Sequence, residues 1–243
     1  MTDAEILAIA AVLAGGACHS ATGFGFVLVA GPLVVAAFPP EEAITSLLAL
    51  GILMSSLTLV TEARRPDALW GDAGRILAWG VPGALAGAFV LAELSTTALQ
   101  LLVTATVLGA LLTRRTARTR FDPFRRLEVA GLSAGLLTTT TTANGPPLLM
   151  YLLERRVSAA TMRDTLSVLF IGFGLIGLAS LALGEPDLKL PDGVVVAALP
   201  LAAAAGHLAG RPLFAWLAVE HYERLVTGLL IVSVVTGAVV ALV

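Results

Sequence analysis

Two polar runs interrupt otherwise apolar stretches of this chain. They are Cys18-His19-Ser20-Ala21-Thr22-Gly23-Phe24-Gly25 and Thr138-Thr139-Thr140-Thr141-Thr142-Ala143-Asn144-Gly145-Pro146-Pro147. Ser20, Thr22, Thr140, Thr141, Thr142 and Asn144 are neutral hydrogen-bond donors of the kind that can surround an oxyanion. Gly23 and Gly25 allow unusual backbone angles and close approach. Gly145, Pro146 and Pro147 stand where a helix starts, a position at which a missing N–H costs nothing. Helices beginning near Phe26 and Pro147 point their N-termini at the breaks, each with about half a positive charge and free N–H groups. Two such ends facing one cavity nearly balance one monoanion without a buried Lys or Arg.

Each of these residues also has a plainer reading. A single Thr in a buried break can do no more than satisfy freed backbone carbonyls. His19 is either a donor to an anion, a proton carrier or an ordinary buried histidine. His207 and Arg211 are four residues apart, hence on one helix face. They either gather anions in an inner vestibule or are a packed histidine beside a snorkelling arginine. Asp164 is expected as a helix-start carboxylate with no further role.

Other chemistries find little support. Cys18 is the only cysteine, which excludes an intrachain disulfide and a Cys-rich metal site, and no cofactor is implied. An intramembrane enzyme needs a nucleophile with a base; Cys18-His19-Ser20 is the one such grouping, and sequence neighbours do not face each other on a helix. The arginines lie in loops without aromatic interleaving, so nucleic acid is not an expected partner. Met1-Thr2-Asp3-Ala4-Glu5 has no basic n-region, so it does not read as a cleaved signal peptide.

The elements that position these residues follow from composition. The chain has 243 residues, 57% hydrophobic and 13% charged, with a mean hydropathy of +0.92. That is an all-α polytopic membrane protein in a lipid bilayer. Six segments have the length of full spans, which need about 20 residues each: 43–61, 75–92, 97–112, 164–183, 194–210 and 225–243. Two others, 6–38 and 127–153, are broken by the polar runs into pieces of eight to thirteen apolar residues. Each broken stretch either crosses once as a discontinuous helix or enters and leaves on one side as a re-entrant hairpin. If both cross, the fifteen basic residues divide ten against five; if both are hairpins, fourteen share one side and only Lys189 lies opposite. The positive-inside rule favours hairpins, with the Arg-bearing loops cytoplasmic and the protein a multi-pass component of the inner (plasma) membrane.

An internal repeat agrees with that diagram. Gly83-Ala84-Leu85-Ala86-Gly87 and Gly206-His207-Leu208-Ala209-Gly210 stand 123 positions apart, as do Leu102-Val103-Thr104 and Leu225-Val226-Thr227. With a small slip, Ser46-x-Leu48-x-x-Gly51 matches Ser167-x-Leu169-x-x-Gly172. The expected organisation is an N-terminal repeat (1–113), an Arg-rich cytoplasmic linker (114–126) and a C-terminal repeat (127–243). Each repeat is one hairpin plus three spans, and the second is inverted relative to the first. Gly83-xxx-Gly87 and Gly206-xxx-Gly210 allow close helix packing. Residues 66–75 are expected as a short interfacial helix, with Trp70, Trp79 and Trp216 at the inner interface. Nothing in the sequence fixes whether the protein forms a homodimer.

Thr22-Gly23-Phe24-Gly25-Phe26 followed by Gly31-Pro32-Leu33, and Asn144-Gly145-Pro146-Pro147-Leu148-Leu149-Met150-Tyr151-Leu152, resemble the two motif regions of the TauE/SafE family of membrane permeases. Arg163 with the span after it, and the glycine pairs, also fit. Phe24 stands where many members have Gly, and five consecutive threonines are not a general family feature. The resemblance implies transport of small sulfur oxyanions, sulfonates or related carboxylates. The expected function is therefore a secondary transporter for a small anion such as sulfite or sulfoacetate, exporting by alternating access. An anion channel is the alternative; an intramembrane enzyme or a structural subunit stands behind both.

Overall fold

A computed structural model of the chain describes residues 1–62, 64–93, 98, 126–184 and 188–216. The predicted spans 97–112 and 225–243 and the linker 114–126 fall almost wholly outside these residues. The described residues form eight helices and no strand: α1 Asp3–Thr22, α2 Phe26–Ala37, α3 Pro40–Thr61, α4 Trp70–Ala92, α5 Leu127–Thr140, α6 Gly145–Glu154, α7 Ala159–Gly184 and α8 Val195–Trp216. Four of them contain an apolar stretch long enough to cross a membrane: Asp3–Ser20, Pro40–Thr61, Trp70–Ala92 and Ala159–Leu183.

Local sequence explains the helix ends. Thr2 caps α1 in a reciprocal box, its N–H donating to Glu5 Oε2 (2.7 Å) and its hydroxyl accepting from Glu5 N–H (3.3 Å). Gly23 ends the helix in the left-handed region (φ 77°), its N–H donating to His19 O at 2.7 Å. Because the cap starts α1 ahead of Ile6 and the polar residues 18–20 remain helical, α1 is 20 residues long. The expectation of two half-length pieces in 6–38 is thereby corrected: the first break is confined to residues 23–25. The second break, 141–144, separates helices of 14 and 10 residues, as short as the sequence requires. The expected helix over 66–75 is also overturned, since 65–69 is irregular and α4 starts at Trp70. The backbone N–H groups of Asp67 and Leu69 are taken by Asp164 Oδ2 (2.6 Å) and Thr165 Oγ1 (3.0 Å) of α7. Trp70 and Trp79 are both exposed, Trp70 at the start of α4 and Trp79, nine residues on, roughly 13 Å further along the helix axis.

Both helix pairs around the breaks fold back on themselves. A Cβ placed on Gly15 would meet Phe26 O at 2.9 Å and Ala30 Cβ at 3.3 Å, so α2 returns along α1. At the far end of α6, Tyr151 Oη donates to Asp72 Oδ2 at 2.8 Å and Arg155 pairs with the same carboxylate at 3.1 Å. Asp72 lies in the first turn of α4, which runs parallel to α5, so α6 returns to the level at which α5 began.

Two parallel helix contacts, α4 with α5 and α1 with α8, hold the bundle, and they correspond atom for atom. A Cβ on Gly83 would meet Leu132 O at 2.2 Å and Leu136 N at 3.0 Å; on Gly206 it would meet Leu13 O at 2.0 Å and Ala17 N at 3.1 Å. In the reverse direction, Gly135 faces Gly80 O (2.0 Å) and Ala84 N (2.9 Å), and Gly16 faces Ala203 O (2.5 Å) and His207 N (3.2 Å). Only glycine lets these backbones approach so closely, so the glycine pairs serve packing within one chain. Charge separates the two ends of the bundle. Lys189 pairs with Glu41 at the start of α3. Arg64, Arg155, Arg163 and Arg211 gather at the opposite end, through Asp164, Asp72, Glu62 and the carbonyl of Thr61 respectively.

Candidate functional site

The two breaks meet. A cavity of about 60 Å3 is lined by His19, Phe24, Gly25 and Phe26 from the first and by Thr142, Ala143, Asn144, Gly145 and Pro146 from the second, with Ser55 and Phe170 from α3 and α7. One water needs about 10–15 Å3 measured the same way, so the space suits a solute of a few heavy atoms. Phe24 and Leu28 join the first break to the apolar cluster that holds α4 to α7, which fixes the two tips side by side.

Each tip presents a helix start. Gly25, the N-cap of α2, is left-handed (φ 93°), and the first intrahelical bond runs from Val29 N–H to Gly25 O at 3.2 Å. The N–H groups of Gly25, Phe26, Val27 and Leu28 therefore have no intrahelical acceptor, and all four residues line the cavity. Asn144 is the N-cap of α6. Pro146 and Pro147 have no N–H, so this end offers fewer donors than α2 while keeping its dipole.

The side chains divide into those already bonded and those with unspent capacity. Thr138, Thr140 and Thr141 donate to Ala134 O (2.7 Å), Leu136 O (2.9 Å) and Leu137 O (3.2 Å) within their own helix. Thr139 donates to Ala84 O at 2.8 Å and Thr142 to Thr141 O at 2.7 Å. Every hydroxyl hydrogen of the threonine run thus goes to a backbone carbonyl. Thr22 Oγ1 lies against the carbonyls of Cys18 and Phe24 and accepts from Phe24 N–H (3.3 Å), pinning the first turn. Asn144 Nδ2 donates one hydrogen to Thr138 Oγ1 at 2.8 Å, which leaves its second amide hydrogen free of that bond. By contrast, His19 Nε2 and the Ser55 hydroxyl are buried without a hydrogen-bond partner, and both residues line the cavity. Unpaired polar atoms at such depth are costly unless a solute or water meets them. Thr142 holds a left-handed backbone (φ 54°), rare for a β-branched residue, at the turn that delivers Asn144.

Of the residues expected at a site, His19, Gly25, Thr142, Asn144, Gly145 and Pro146 are brought together on the cavity wall. Ser20, Thr22, Gly23, Thr140 and Thr141 support the breaks without lining it. His207 is fully buried in α8 against Gly16, with Nε2 3.4 Å from Thr61 Oγ1, and Arg211 donates to Thr61 O at 3.1 Å. Neither lines the cavity. Ser55 and Phe170 were not singled out by sequence, and nothing in an apolar span marks one serine above its neighbours. Asp164, expected to have no role, is 2% exposed and accepts two bonds from Arg64 (2.7 and 3.0 Å). That partner holds the Arg64 guanidinium above its ordinary value, so its charge is fixed across the physiological range. No group of His, Cys, Asp and Glu able to hold a metal occurs among the described residues.

No curated protein and no solved structure matches the chain. One family model, described as Sulfite exporter TauE/SafE, matches residues 7–237. That match runs nearly end to end: the chain belongs to the TauE/SafE family of membrane permeases and is a transporter of the sulfur-anion exporter type, not an enzyme.

Proposed function

We propose that the protein exports a small sulfur oxyanion or sulfonate, of the sulfite or sulfoacetate class, by alternating access, holding it at mid-membrane between the N-termini of α2 and α6. The observation that carries this reading is a cavity that receives both helix starts together with the unpartnered His19 Nε2 and Ser55 hydroxyl. Backbone N–H groups and partial helix charges are a natural anion site. Broken helices at such a site are the usual build of secondary transporters. In this reading the donors are backbone, His19, Ser55 and Asn144, while the threonines keep the break in shape.

Two inverted repeats, each a re-entrant hairpin with three spans, are proposed as the frame. The matching glycine contacts of α4–α5 and α1–α8 support this, as does the shared left-handed turn at Gly23 and Thr142. The arginine-rich end is taken as cytoplasmic by the positive-inside rule. An inside-negative potential then favours anion exit by about 2.3 kcal/mol per charge per 100 mV, so export needs no coupling ion. The test is flux of sulfite, sulfoacetate, taurine, sulfate and small carboxylates in proteoliposomes. Saturable flux of a sulfur anion is expected. Flux that is unchanged when His19 and Ser55 are both replaced by Ala counts against the site.

A further inference from the structure

Arg163 lies in the second turn of α7, is only 7% exposed and takes no place on the cavity wall. Its Nη2 donates at 3.0 Å to the carbonyl of Ser20, one of the last four of α1 and so without a helical partner. Its Nη1 donates to Glu62 just beyond α3. Its aliphatic stem fills the space beside Gly23, where a Cβ would lie 2.5 Å from Arg163 Cγ. One side chain therefore grips the first tip at its carbonyl end and at its left-handed turn.

The grip is linked to the end of the bundle. Glu62 is shared with Arg64 at 2.7 Å, Arg64 forks onto Asp164, and Asp164 takes the Asp67 N–H. The second tip is held differently, by neutral bonds: Asn144 to Thr138, Thr139 to Ala84 O. The two tips are mechanically unequal. One answers to an ion-pair cluster that reaches the surface; the other is fixed from within.

Resting on the reading of the cavity as an anion site, we propose that Arg163 is a positioning residue for that site. It sets the first tip, and with it the N-terminus of α2, while Glu62 couples this hold to closure of the arginine-rich end. When that end opens, the loop carrying Glu62 and Arg64 parts from α7, and the tip loses part of its support.

The test compares sulfite KM and maximal flux in proteoliposomes for Arg163→Gln, Arg163→Lys, Glu62→Gln and the distant control Lys189→Gln. Reaction of Cys18 with a water-soluble maleimide is followed in parallel. Cys18 is the chain's single thiol, half-buried one turn and a residue before Gly23. Arg163→Gln is expected to raise KM about tenfold with maximal flux within about twofold, the size of an ordinary coupling, and to speed Cys18 labelling. Arg163→Lys recovers part of the KM because an ammonium still reaches one partner. Glu62→Gln keeps the Ser20 bond and changes maximal flux more than KM. If Arg163→Gln fails to fold, the Lys variant and Glu62→Gln carry the same split. Variants that alter only melting temperature, with KM and labelling as in wild type, overturn the proposal. Faster Cys18 labelling in Arg163→Gln, alongside a wild type that moves none of the tested anions, would instead sink the transport reading and leave the grip standing.

Discussion

Side-chain substitution does not remove a backbone donor, but proline does, and α2 offers a place where proline costs the helix little. Val27 is the second residue of α2, and its N–H has no intrahelical acceptor because the ladder begins at Val29 N–H to Gly25 O, 3.2 Å. The corresponding position of α6 is already Pro146, preceded by Gly145 as Val27 is preceded by Phe26. Val27→Pro therefore copies a geometry the other tip adopts. The expected loss is one hydrogen bond to a charged group, about 1.5–3 kcal/mol. At 1.4 kcal/mol per decade this weakens anion binding by roughly 10- to 100-fold.

The assay is half-saturating sulfite in proteoliposomes beside thermal unfolding in detergent. Val27→Pro should raise half-saturation by that factor with the melting temperature little changed. Val29→Pro, two residues on, removes a made helix bond and should cost about 3 kcal/mol of stability. Half-saturation within twofold of wild type in a folded Val27→Pro protein would refute the idea that α2 holds the anion by its N–H groups.

Other expectations concern packing and topology. Gly83→Ala and Gly206→Ala, whose new Cβ atoms would lie 2.2 and 2.0 Å from backbone carbonyls, should each destabilise by about 1–3 kcal/mol and by similar amounts, read as melting temperature. Unequal shifts would weaken the equivalence of the two helix pairs. Gly23→Ala should lower the melting temperature, since φ is 77° and Arg163 occupies the space. Thr142→Gly should hold or raise it by relieving a left-handed residue worth roughly 1–2 kcal/mol. In a Cys18→Ser background, Glu41→Cys should react with impermeant maleimide from outside and Ser158→Cys from inside; the same side for both would overturn the hairpins.

Both breaks were legible because a long polar, Gly- and Pro-bearing run inside apolar sequence is costly in lipid unless it is buried or faces a cavity; single Gly-Pro or Pro-Gly pairs, such as Gly31-Pro32 and Pro82-Gly83, stay helical. The helix ends were less legible. Cys18, His19 and Ser20 look like the start of a break, yet they remain within α1, and the interruption waits for Gly23. For each single threonine of the run, backbone support is the plainer reading from sequence, and the hydroxyls do donate to carbonyls; which of them also line the cavity only the local geometry decides. The partners of Asp164 are hidden from sequence for a different reason. What it binds, Arg64 and the Asp67 N–H, lies 100 and 97 residues away, and no periodicity reports a contact of that separation. Likewise the face that His19 presents is set by the glycine contacts of α1 with α8, not by its own neighbours in sequence.

A site made from two helix ends has a consequence that a buried arginine would not share. One full charge about 4 Å from a monoanion attracts it by about 4 kcal/mol at the effective dielectric of such sites, wherever the rest of the protein moves. Two half charges, one on each tip, give a similar sum only while the tips stand together. On the proposed reading, parting them removes about half of that attraction, roughly 2 kcal/mol, or about thirtyfold in affinity. Release is then built into the opening motion, and no further group is needed to expel the anion. The same reasoning explains why the nearby full charge, Arg163, is occupied by Glu62 and the Ser20 carbonyl. Left unneutralised beside the cavity, it would retain the anion in every conformation.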